Sequence, residues 1–240
     1  MAIELPTKRI AADSKSPKRL FIYSPPKTGK TTAVAMLDNC LLIDLEEGAG
    51  FVDAMRVKVR NLQELKEVTQ AIEKAGKPYK YGAIDTTTKL EEMVLPLANS
   101  MYRDTPMGKD WDGDNVLQLP RGAGYLYLRK AYQKVMNTLD TLFERIIYLG
   151  HLKDTSLGKE GKEVQVKDID LTGKLKNITC AATDAIGFLY RKEEQTILSF
   201  KSGTDIISGA RPLHLRNKEI VLLESKDEKL VHNWDQVYID

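Results

Sequence analysis

Residues Leu20–Thr32, LFIYSPPKTGKTT, decide the fold. An apolar run ends at Ser24, turns through Pro25-Pro26, and passes by way of Lys27, Thr28 and Gly29 into Lys30-Thr31-Thr32 and a helix-compatible AVAML. That order reads as a buried strand, a tight loop and a helix N-terminus. Successive backbone N–H groups of such a loop form a concave cradle for phosphate oxygens. Ser24 to Thr32 are therefore the expected nucleotide-binding residues. Lys30 reaches the β- and γ-phosphates in this pattern, and the Thr31 hydroxyl takes Mg²⁺. The first motif position carries Ser24 in place of glycine, a departure that bears on loop geometry.

Working outward, short apolar runs alternate with longer helical patterns, which predicts an α/β fold with a mostly parallel sheet covered on both faces. Strands are expected at Leu20–Ser24, Leu41–Leu45, Tyr81–Asp85 and Arg145–Gly150, with helices starting near Gly29, Leu62, Thr88 and Gly124. Beyond Gly150 comes a charged stretch Leu152–Gly173, then a short helix, then runs at Asp184–Tyr190, Gln195–Phe200 and Glu219–Leu223. The short connections between these last runs predict antiparallel pairing. Residues 1–19 form a mildly basic arm, with Lys8, Arg9, Lys15, Lys18 and Arg19 against Glu4 and Asp13, ahead of a single core domain at 20–240.

Composition excludes several classes. The 36 Lys and Arg nearly balance 34 Asp and Glu, so bulk charge points to neither a nucleic acid nor a membrane, and any basic surface must be local. Cys40 and Cys180 lie far apart, and with 3 histidines no zinc-ligand spacing exists. No apolar run approaches the roughly 20 residues of a membrane span, and the first residues lack a signal-peptide core. A cytoplasmic protein is expected.

Three acidic or polar positions close predicted strands, at the edge where open α/β sheets bind ligands. Asp44 runs into Glu46-Glu47, where a carboxylate can deprotonate the water that attacks a γ-phosphate; Glu46 is the choice. Asp85 ends an apolar run and suits Mg²⁺, directly or through Thr31. His151 follows Gly150 and would face the γ-phosphate.

In this order behind SPPKTGKTT, the segments LLIDLEEGAG, YGAIDTTTKL, YLGHLKDTS and ATDAIGFLYR resemble the RecA-core P-loop ATPases of bacteriophages, in particular the Sak-four type single-strand annealing proteins. The similarity spans about Leu20–Arg191. It implies a RecA-like ATPase using ATP and Mg²⁺ in a phage-infected or lysogenic host, binding single-stranded DNA as an oligomer or filament, with a phage single-strand-binding protein as a further partner. The family's D-x-E falls on Asp44-Leu45-Glu46, its Walker B aspartate on Asp85, and its sensor coupling nucleotide to DNA on His151. Its mobile DNA-binding loops fall on Asn99–Gly122 and Leu152–Gly173.

The first loop interleaves Tyr102, Arg103, Lys109, Trp111 and Arg121, the mix of cation and ring that single strands require, although Asp104, Asp110, Asp112 and Asp114 dilute the field; the competing reading is a surface loop whose Trp111 packs back onto the core. The second offers Lys153, Lys159, Lys162 and Lys167 but also Asp154, Glu160, Glu163, Asp168 and Asp170, and no aromatic residue. RecA-like filaments complete each ATP site with a neighbour's cations, which implies Lys201 and Arg211 here. Rival readings are a P-loop ATPase serving helicase loading, packaging or small-molecule phosphorylation, and a nucleotide-gated interaction protein.

Overall fold

The computed structural model describes residues 5–12, 14–159, 162–203 and 205–239, with the side chains of 154–165 left out. Lys159 to Glu163, the charges expected at the tip of the second loop, fall outside the described side chains. So do Glu4, Asp13 and Asp154.

The phosphate-loop strand β1 (Arg19–Ser24) feeds helix α1 (Lys30–Ala35), and β2 (Cys40–Asp44) follows. An edge strand, β3 (Met55–Lys58), then leads to α2 (Leu62–Lys74) and β4 (Tyr81–Asp85). Next come α3 (Thr87–Met93), α4 (Leu95–Arg103) and α5 (Gly124–Leu139), then β5 (Arg145–Lys159), β6 (Lys162–Ile169) and α6 (Lys174–Ala182). The chain ends in β7 (Ala185–Lys192), β8 (Gln195–Ser199), β9 (Gly209–Ala210), β10 (Glu219–Lys226) and β11 (Lys229–His232). The sheet order is β11-β10-β8-β7-β1-β5-β4-β2-β3. Pairing is parallel from β7 through β3 and antiparallel from β7 outward to β11.

Burial on both faces explains why the central strands are continuous apolar runs. Alternate residues point to opposite sides of a strand: Phe21 and Tyr23 belong to one core cluster with Leu65, Leu90, Leu128 and Tyr132, which places α2 to α5 over that face. Leu20 and Ile22 belong to the other, with Ala33 and Val34 of α1 and with Trp234 and Tyr238. The Trp234 indole N–H donates to the Ala33 carbonyl at 2.7 Å, fastening the C-terminal segment to the helix that carries the phosphate loop.

Helix α2 begins where Asn61 accepts a hydrogen bond from the Glu64 amide at 2.9 Å, the expected N-cap device. Its Leu65, Thr69 and Ile72 face the core at helical spacing. The helix expected from Thr88 breaks at Val94, because Pro96 in the first turn of α4 lacks an N–H and its ring excludes continuation from α3. Asn99 is buried inside α4 and accepts from the Val116 amide at 3.0 Å, so the first expected loop starts only at Asp104.

Two expectations need correction. Leu152–Gly173 is not an open loop: β5 runs on to Lys159 and pairs antiparallel with β6, from Leu152 opposite Ile169 to Lys159 opposite Lys162. The β-branched Thr155, Val164 and Val166 supply strand propensity that the charges obscured. β7 is antiparallel to β8 as expected, yet parallel to β1, so it also extends the parallel core. The arm is exposed over residues 5–12, whereas Ser16 and Pro17 are already buried, with the Pro17 carbonyl accepting from Arg145.

Candidate functional site

The strand order places β5 between β1 and β4, so three strand ends converge on one edge. Ser24 is in register with His151, and Asp44 with Asp85. The phosphate loop fills the space beyond β1. Gly29 has φ 103°, a left-handed conformation that glycine alone adopts readily, and Lys27 has φ 62°. Ser24 is not among the positive-φ residues, so the missing first glycine costs nothing here. The Ser24 hydroxyl donates to the Pro25 carbonyl at 2.8 Å and accepts from the Lys30 ammonium at 2.9 Å.

Lys30 folds back over its own loop, donating also to the carbonyls of Ser24 and Pro25 at 3.3 Å each. Burial lowers its pKa, while Asp85 and then Glu46 oppose that shift. The ammonium is thus desolvated and held by one hydroxyl and two carbonyl oxygens of its own loop.

Next to it, the Thr31 hydroxyl donates to Asp85 Oδ2 at 2.6 Å. Burial raises the Asp85 pKa, with the Thr31 bond acting in the opposite sense. A hydroxyl and a carboxylate meeting at the helix start form the pair that Mg²⁺ would bind. Among the described residues no group of three His, Cys, Asp or Glu could hold a metal alone. Mg²⁺ takes oxygen donors, one or two of them carboxylates, and the Thr31 hydroxyl and Asp85 carboxylate are of that chemistry.

Glu46 stands at the end of β2. His151 Nε2 lies 2.9 Å from Glu46 Oε1, and the Thr86 hydroxyl donates to the same oxygen. These two hydrogen bonds, that of His151 foremost, lower the Glu46 pKa against the opposing effect of burial. Glu46 is thus ionised, able to accept a proton, and about one-third exposed. Glu47 points away into ion pairs with Arg60 at 3.1 Å and Lys58 at 3.9 Å. Asp44, fully buried, caps the loop instead: its carboxylate accepts from the amides of Glu46, Gly48 and Ala49 at 3.1–3.3 Å.

Thr86 was not foreseen. Its hydroxyl also caps α3 by accepting from the Lys89 amide at 3.3 Å, and that capping chemistry was the visible signal in DTTT. His151 Nδ1 is buried with no hydrogen-bond partner among the described residues.

A family profile described as "AAA domain" matches residues 16–219. The chain belongs to that family. Among solved structures, this AAA domain is similar to the RadB recombinase, at 10% identity and TM-score 0.47 over 90% of each chain. It is similar also to a KaiC-like protein from Pyrococcus horikoshii OT3, at 11% identity and TM-score 0.47 over 90% of this chain and 89% of that one. Comparison with curated proteins finds no match.

The other expected residues of the AAA domain lie elsewhere. Trp111 is no free platform: its ring meets Tyr102 edge-on at 5.2 Å and packs against the core. Arg103 lies over that ring at 5.1 Å and donates to the Gly113 carbonyl at 2.7 Å. Lys153 pairs loosely with Asp170 at 3.7 Å. Lys109 and Arg121 are exposed and form no ion pair among the described residues.

Lys201 and Arg211 each hold an acid of their own chain. Lys201 pairs with Glu219 at 2.5 Å, and Arg211 with Asp184 at 3.1 Å. Ala185 is opposite Leu20 and Ala210, so Arg211 lies at the edge where β1 begins, not where it ends. Among the described residues no helix is long and apolar enough to cross a membrane.

Proposed function

We propose that this protein is a RecA-like ATPase that hydrolyses Mg²⁺-ATP in response to single-stranded DNA and promotes annealing or strand pairing as an oligomer in a phage context. The observation that carries the reading is the meeting of Lys30, Thr31–Asp85 and Glu46–His151 at the ends of adjacent parallel strands. Ser24 to Thr32 bind the phosphates, Lys30 neutralises the β- and γ-oxygens, and Thr31 with Asp85 holds Mg²⁺. The bound metal would draw charge from the transferring phosphoryl group. Glu46 takes the proton of the attacking water, and His151, hydrogen-bonded to it and leading into the β5–β6 hairpin, relays nucleotide state.

For DNA, the exposed Lys109, Arg121 and Lys153 would contact phosphates. Tyr125, 38% exposed beside Gly122, offers a stacking ring more open than Trp111. Arg211, at the opposite edge from its own phosphate loop, and Lys201 would serve a neighbouring subunit. A phage single-strand-binding protein is the expected further partner, and a cytoplasmic setting follows.

The test is ATP hydrolysis with and without single-stranded DNA at one stated salt concentration, because phosphate contacts make binding salt-dependent. Stimulation by single strands, and not by duplex, is expected. Hydrolysis indifferent to DNA would favour a P-loop ATPase of another phage process, and nucleotide binding without turnover a nucleotide-gated interaction protein.

A further inference from the structure

Phe51 is completely exposed, at 103% of its reference area, on the crossover that joins β2 to β3. It is held there firmly. The Asp44 carboxylate binds the amides of Gly48 and Ala49, and the Arg56 guanidinium donates to the carbonyl of Ala49 and, at 3.5 Å, to that of Val52. Met55, at the start of the edge strand, is 47% exposed beside it, and Asp53 between them is exposed with no ion pair among the described residues. Phe51 is thus an apolar knob on a braced turn, with the Asp53 carboxylate two residues away.

The complement lies elsewhere on the same chain. A mostly apolar cavity of about 580 Å³ opens at the edge where β1 and β7 begin, with Leu213 (75% exposed) and Ile239 (48% exposed) in its wall. Lys15, Lys18, Arg211 and Arg216 surround it. Lys15, Lys18 and Arg216 have no ion pair among the described residues. Asp184, the acid that lines it there, is already occupied by Arg211 and by the amides of Lys18 and Arg19.

The knob cannot fill its own cavity. Strands β1 and β3 are separated by β5, β4 and β2, and four spacings of ~4.8 Å put them roughly 19 Å apart across the sheet. A single-stranded nucleic acid is a poor occupant, since among the described residues the one ring in the wall, His214, is tied to the Val237 carbonyl at 3.0 Å, and phosphates gain nothing from Leu213 or Ile239.

We propose that the cavity bounded by Lys15, Lys18, Leu213 and Ile239 receives Phe51 of a second copy of this chain, with Asp53 meeting the rim cations. Because knob and cavity are different patches, the contact is heterologous, and repeating it produces a ring or an open filament. It would also bring Arg211 of one copy towards the loop that carries Glu46 of the next. The inference deepens the oligomeric reading above.

The experiment uses the full chain in sedimentation velocity over a wide concentration range, with and without Mg²⁺ and a non-hydrolysable ATP analogue. Wild type should grow beyond a dimer, while Phe51→Asp and Leu213→Asp should each remain monomeric and Phe51→Trp should assemble. Both altered side chains are exposed, so melting temperatures should hold. An equimolar mixture of Phe51→Asp with Leu213→Asp retains one intact knob and one intact cavity, and should stop at a heterodimer.

A wild type that stays monomeric overturns the proposal, as does either Asp variant assembling normally or a mixture that forms no heterodimer. Analogue binding is measured separately by calorimetry. Its absence would count against the ATPase reading alone, since assembly is also read without nucleotide.

Discussion

Lys30→Met keeps an apolar stem in the loop while deleting the ammonium, and its effects can be worked from three contacts. The ammonium is held by Ser24 Oγ at 2.9 Å and by two carbonyls at 3.3 Å, all of which it must leave to meet phosphate. A hydrogen bond to a charged group contributes roughly 1.5–3 kcal/mol. Two contacts to anionic phosphate oxygens at about 3 kcal/mol each, less roughly 3 kcal/mol in all for one good loop contact and two long ones to neutral carbonyls, leave about 3 kcal/mol, or on the order of a hundredfold in Kd at 1.4 kcal/mol per tenfold.

The stability effect has the opposite sense. Burial depresses the Lys30 pKa below its ordinary value of 10.5, so the charged form opposes folding below the folded-state pKa. That cost disappears as pH rises from the folded-state pKa towards 10.5. Lys30→Met should therefore melt no lower than wild type at neutral pH, with wild type gaining on it as pH rises. Calorimetric titration with Mg²⁺-ATP and thermal melts across pH read both. Unchanged nucleotide affinity would refute the phosphate-loop assignment, and a large loss of stability at neutral pH would show that burying the ammonium does not oppose folding.

His151→Ala should keep basal hydrolysis within a few-fold and abolish its stimulation by DNA, and DNA affinity should stop depending on which nucleotide is bound, since coupling is reciprocal. DNA titrations with an ATP analogue and with ADP read this, and a persisting difference would make His151 structural. Trp111→Ala should lower the melting temperature, because the ring packs on Tyr102 and under Arg103, while leaving single-strand affinity nearly unchanged; weaker binding by the ~1–3 kcal/mol of a stacking ring would restore Trp111 as a DNA platform. Trp234→Phe removes a buried 2.7 Å bond and part of a fully packed ring, and should cost about 2–4 kcal/mol in chemical denaturation. A cost below 1 kcal/mol would show that the C-terminal segment does not brace α1.

What was legible in the sequence follows burial. β1, β2 and β4 lie in the middle of a parallel sheet covered on both faces, so each reads as an unbroken apolar run with its polar residue at the functional edge. Ser24, Asp44 and Asp85 were visible for that reason. β3 escaped notice because an exposed edge strand, MRVK, carries no such run. The β5–β6 hairpin was hidden by charge density, and the α3–α4 break lies at Pro96, inside an apolar run that keeps helical spacing on either side. The placement of Lys201 and Arg211 depends on β7 running parallel to β1, a long-range pairing with no local signature. Thr86 illustrates the same limit within the site: its capping role is local and readable, whereas its bond to Glu46 crosses from β4 to β2.

In the proposed mechanism Glu46 is the base of an ATP-hydrolysing site. The direct test compares wild type, Glu46→Gln and Glu47→Gln for Mg²⁺-ATP binding by calorimetry and for phosphate release. Glutamine preserves the shape of the side chain and can still be held by Thr86 and His151, but cannot take a proton, so Glu46→Gln should bind normally and lose roughly 10²–10⁴-fold in turnover. Glu47→Gln, which loses only surface ion pairs, should turn over much as wild type does. Wild-type turnover in Glu46→Gln, or the larger loss in Glu47→Gln, would contradict the account.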